Sequence, residues 1–104
     1  MSDFPKPPRT FLEFADRFPK VMEGWEALAE AGRAGPLDER TARLVKLGIA
    51  IGAMREGAVH ASVRKARALG IPEAAVEQVV ALAAGTIGLP ATVAVWSWTL
   101  DRTD

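Results

Sequence analysis

Glu56, His60 and Arg64 stand four residues apart in the stretch REGAVHASVRKARALG, and His60 is the only histidine of the chain. On a helix, residues at that spacing share one face. A carboxylate one turn before an imidazole can orient the ring for proton transfer. An arginine nearby can hold a substrate carboxylate through two parallel hydrogen bonds. The pattern therefore suits acid/base chemistry on a small carboxylated molecule. His60 and Glu56 are the candidate catalytic pair; Arg55, Arg64 and Ser62 are the candidate substrate contacts. An exposed helix face with no catalytic role often carries the same pattern, so both readings stay open.

The rest of the composition narrows the chemistry. The chain has no cysteine. Thiolate nucleophiles, zinc–sulfur sites, disulfides and dithiol redox cycles are thereby excluded. One histidine rules out a multi-histidine metal site within a chain, and neither a metal nor a cofactor is expected. Lys plus Arg and Asp plus Glu number 13 each. No excess of positive charge is available for nucleic acid or an anionic membrane. The start, MSDFPKPPRT, lacks the apolar core of a signal peptide, and with the missing cysteines this gives an expectation of a cytoplasmic protein.

The elements that must position these residues read as helices. Residues 1–9 form an expected flexible arm, and residues 10–104 one domain. Thr10 with Glu13 three places on suggests a capping box opening a short helix. Pro19 suits the first turn of the next helix, whose Val21, Trp25 and Leu28 should form a buried stripe. GRAGPLDER reads as a loop that ends on Asp38, the cap of a third helix with Leu44, Leu47 and Ile51 inward. Asp38, Glu39, Arg40 and Arg43 read as a solvated helix start. Gly48 and Gly52 leave room for a neighbouring helix to approach closely. The histidine helix runs from about Glu56 to Leu69, with Gly70 closing it. Another helix begins near Pro72 and Glu73, and Gly88 and Pro90 separate it from a last one, ATVAVWSWTLD. Met22 and Met54 read as gap-filling core residues. The class is all-α, with five or six helices.

Residues 79–100 carry no charge, a length that could span a bilayer. The GLP break and the missing basic flank favour two buried helices instead. These helices, including Trp96 and Trp98, are apolar on nearly every side and need cover all round. A second subunit is the expected cover.

The phrases RFPKVMEGWEALAEAG, GPLDERTARLVKLGIAIG, HASVRKARALGIPEAAVEQVVALA and TIGLPATVAV, over about residues 18–96, resemble the carboxymuconolactone decarboxylase / AhpD-like superfamily. The resemblance implies an all-helical domain assembling as a homo-trimer or hexamer. It implies two chemistries: a thiol peroxidase or disulfide reductase built on a cysteine pair, and decarboxylation of a lactone. Anchored on VRKARALG, the cysteine pair of the thiol branch falls on Arg55 and Ala58, its histidine on Ser62 and its helper glutamate on Arg43. Shifting the register so that His60 is the motif histidine puts the cysteines on Ala53 and Glu56. Either way the thiol chemistry is absent. Three readings follow: a decarboxylase-like enzyme using His60, a non-catalytic binding or assembly protein on the same scaffold, and a membrane-associated helical protein.

Overall fold

A computed structural model describes residues 8–100. It contains six helices and, among the described residues, no strand. They are α1 (Arg9–Arg17), α2 (Pro19–Arg33), α3 (Glu39–Gly52), α4 (Glu56–Ala68), α5 (Glu73–Ile87) and α6 (Leu89–Thr99). The chain divides into two compact units, one through Leu37 and the other from Asp38 onward.

The first unit is the α1–α2 pair. Pro19 takes the first position of α2, where its missing N–H costs no hydrogen bond. Phe14 and Phe18 stack across the junction with ring centroids 4.9 Å apart. The capping box does not form. Thr10 lies inside α1, which begins at Arg9 after Pro8. Glu13 is instead drawn to Arg9 at 3.1 Å, one turn back on the same helix. The stripe expected to be buried on α2 is open: Val21, Trp25 and Leu28 are 52%, 55% and 68% exposed. Two helices of 9 and 15 residues are too little structure to cover it. Residues 1–7 of the expected arm lie outside the described residues, and Arg9 is helical.

The second unit is a ring of four helices. α3 packs on α4 and α5, and α6 closes the ring against the same two. Leu47, Ile51, Val59, Val76 and Val95 are completely buried at its centre. Each such side chain stabilises the fold by about 1.5–3 kcal/mol. Leu44 packs at the edge of this core, so the α3 stripe read from the sequence is the one that is buried. Asp38 caps α3, its Oδ1 accepting from the Thr41 N–H at 2.8 Å.

The helix breaks fall where glycine and proline place them. α4 ends in a Schellman turn: Gly70 N–H donates to Arg67 O and Ile71 N–H to Ala66 O, each at 3.0 Å. Gly70 takes φ +76°, and Ile71 tucks into the core. Gly88, with φ 86° and ψ 162°, turns the chain from α5 into α6. That conformation is open almost only to glycine. α6 starts at Leu89, earlier than the expected Ala91, because Pro90 fits its first turn. Asp101, the last residue of the expected helix, lies outside the described residues. The uncharged run is thus two short helices, and no described helix is long and apolar enough to cross a membrane.

Two further expectations need correction. Gly48 and Gly52 do not admit a closely approaching helix. A Cβ at Gly48 would meet Val79 at an ordinary 3.8 Å, and one at Gly52 would meet nothing within 4 Å. Met54 is not core. It is 40% exposed and holds φ +55° in the turn between α3 and α4.

Candidate functional site

The α3–α4 turn sets up the histidine helix. Arg55 N–H donates to Ala50 O at 3.1 Å and Met54 N–H to Ile51 O at 3.0 Å. This is the same Schellman pattern that ends α4, here with methionine in the left-handed position. A three-residue connection then returns α4 antiparallel along α3. Arg55 is the N-cap of α4 and is exposed. Glu56 in the first turn and Lys65 and Arg67 in the last match the helix dipole.

One turn into α4, His60 Nε2 lies 3.2 Å from Glu56 Oε2. Their side chains are 43% and 58% exposed. An ionised carboxylate only accepts, so Nε2 is the donor in this contact. That leaves Nδ1 as the ring atom available to take or give a proton. Arg64, one turn further, is exposed and makes no ion pair among the described residues. The structure therefore brings Glu56, His60 and Arg64 onto one face.

Ser62 stands apart from them. At about 100° per residue it lies some 160° around α4 from His60. It faces inward and is only 6% exposed. Arg55 precedes the helical turns as the extended N-cap of α4, and no contact joins it to His60 among the described residues.

Asp38, Glu39 and Arg40 are exposed at the start of α3 as expected, and Arg43 is the one that departs from a solvated helix start. Arg40 reaches across to donate to Leu69 O at 3.3 Å and Gly70 O at 3.2 Å, capping the end of α4. Arg43 is partly buried, and its Nε is enclosed without a hydrogen-bond partner. Burial pushes its guanidinium below the usual arginine range, with Glu39 opposing. Lys65 is lowered too, first by burial and then by Arg43, Lys46 and Arg64. Arg67 ties α4 to its neighbours, pairing with Glu73 and donating to Thr99 O at 2.9 Å. Neither propensity nor charge count separates these arginines from the solvated ones. The usable signal is register: Arg43 lies eleven residues before Met54 and Lys65 eleven after it, which sets them opposite each other in the hairpin.

Each unit has a cavity of its own. The larger, about 570 Å³, is an apolar groove between α3 and α5 lined by Leu44, Gly48, Gly52, Val79 and Leu82. The other, about 550 Å³, lies against α1 and α2 with Met22, Glu23, Glu26 and Glu30 along it. Neither is lined by His60. Among the described residues, no group of three or more acidic or histidine side chains is placed to hold a metal ion.

An all-helical chain with a four-helix unit, an antiparallel α3–α4 hairpin and no thiol defines the structural class. Within it, the chain belongs to the carboxymuconolactone decarboxylase family, whose model matches residues 19–101. The match runs through both compact units. No curated protein and no solved structure matches the chain.

Proposed function

We propose that this protein is a decarboxylase-like member of its family that performs acid/base chemistry on a small carboxylated lactone. The observation that carries the reading is the Glu56–His60 pair, already joined at 3.2 Å with its ring half open to solvent. In such a reaction the bond to the departing carboxylate breaks and CO2 leaves. The electron pair passes onto the lactone, and the carbon takes up a proton. The protonated His60 ring supplies that proton from Nδ1, while Glu56 holds the ring through Nε2. Arg64 holds a second, unreactive carboxylate. Arg55, exposed at the start of α4, contributes only if substrate reaches round that end, and the buried Ser62 contributes no substrate contact. The chemistry uses no cofactor.

The functional unit in this reading is a homo-trimer or hexamer, one domain per chain over residues 10–104, in the cytoplasm. The support is the apolar surface that one chain leaves open. Leu82, Leu89 and Val93 are 71%, 70% and 54% exposed, and the α2 stripe is open as well. A neighbouring subunit would also wall in His60.

A carboxylated lactone added to labelled protein should shift the His60 ring signals in an NMR titration, and Arg64→Gln should weaken that binding. Shifts confined to the α3–α5 groove would contradict the reading. They would favour a non-catalytic binding or assembly protein, which the separation of both cavities from His60 also supports.

A further inference from the structure

We infer that the α3–α4 hairpin carries an oxyanion-binding site, formed by Arg43, Lys46 and Lys65 with Arg64 at its edge, for a small ligand bearing phosphate or several carboxylates. The inference goes beyond the His60 reading and does not rest on it. Its first support is a guanidinium with nothing to bond. Arg43 is partly buried and makes no hydrogen bond or ion pair among the described residues. Its Nε is enclosed, but its terminal nitrogens are not, and an oxyanion seated against them would accept from them.

The second support is the charge arrangement. Arg43 and Lys65 stand at matching distances from the Met54 turn, on facing helices. Lys46 follows Arg43 by three residues on α3, and Arg64 adjoins Lys65 on α4. Among the described residues none of the four makes an ion pair. The acid acting on Arg43 is Glu39, which does not bond it. The cations also depress one another, as Lys65 shows. Four cations with no ion pair among the described residues repel one another, and an oxyanion joining them would relieve that repulsion. Guanidinium offers the planar fork and the lysines two movable point charges, which together fit a multiply charged oxyanion.

The test is calorimetric titration of the full chain with inorganic phosphate and, separately, with citrate, each against chloride at equal ionic strength. Saturable binding of either probe is expected, and the stronger one identifies the ligand class. Arg43→Gln and Lys65→Gln should each weaken it at least tenfold, whereas Arg9→Gln, on α1, should leave it unchanged. Circular dichroism identifies a misfolded variant; Lys46→Gln replaces it in that event. Binding of neither probe above chloride overturns the inference. So does binding that the hairpin variants leave intact. The same holds if the cations prove to be held by Glu23 and Glu26 of a second copy, seen as weaker self-association in the Glu23→Gln/Glu26→Gln variant with no phosphate or citrate binding. Arg64 is common to this site and the His60 reading, so Arg43 and Lys65, which belong to the hairpin site alone, are the variants that separate the two.

Discussion

Replacing glycine by alanine at two positions three residues apart should change stability in opposite directions. Gly85 lies within α5, and Gly88 turns the chain between α5 and α6. A Cβ at either would meet nothing within 4 Å, so packing does not separate them. Backbone conformation does. Gly85 is helical and exposed, and alanine there removes about 0.5–1 kcal/mol of unfavourable chain entropy. Gly88 holds φ 86° and ψ 162°. An L-residue in that region costs about 1–3 kcal/mol. Restricting the unfolded chain returns only about 0.4–1 kcal/mol. Gly88→Ala should therefore destabilise by about 1–2 kcal/mol and Gly85→Ala stabilise by up to about 1 kcal/mol. Each kcal/mol moves Tm by roughly 4–8 °C in a domain of this size. Thermal and urea unfolding at one fixed protein concentration, to hold any assembly constant, would measure both. Changes of the same sign would show that backbone conformation does not separate the two positions. An unchanged Gly88→Ala would show that the corner is not held in the glycine-only conformation.

Three further outcomes follow from the packing. Leu47→Ala, at a completely buried position, should cost about 2–5 kcal/mol in urea unfolding; a loss under 1 kcal/mol would mean that the ring of helices is not the core. Light scattering at micromolar concentration should give the mass of three or six chains, and Trp96→Ala should weaken assembly; a stable monomer would contradict the covering-subunit argument. Hydrogen bonds from Thr41 hold the Asp38 carboxyl below the usual aspartate range. The unfolded chain then binds the proton more readily than the folded one, so this contribution is present above about pH 4 and is lost as pH falls further. Asp38→Asn should flatten the acid limb of the stability–pH curve, and an unchanged limb would remove Asp38 as its cause.

The parts of the fold legible in the sequence are those fixed by local rules. Gly70 and Gly88 break helices because few other residues adopt their conformations. Asp38 caps because its oxygen lies within reach of Thr41 N–H. Leu44, Leu47 and Ile51 repeat at the helical period. The Glu56–His60 contact follows from the same spacing. What escaped depends on the partner of each face. Val21, Trp25 and Leu28 have the period of a buried stripe, but periodicity does not say what covers them. Thr10 and Glu13 fit a capping box, but Arg9 competes for the carboxylate one turn away. Arg40 and Arg43 look alike to any charge count. One spans 29 residues to cap α4 and the other is partly enclosed, and only the hairpin register distinguishes them. Ser62 is near His60 in sequence, yet residues two apart on a helix point in nearly opposite directions.

In the proposed reaction His60 transfers the proton. The most direct test of that transfer is the steady-state rate of CO2 release from a carboxylated lactone by the intact chain and by His60→Ala, with equal circular dichroism and equal assembly mass as controls. Loss of general acid/base catalysis predicts a fall in kcat of about 10²–10⁴-fold. Turnover by His60→Ala equal to that of the parent chain would contradict the account.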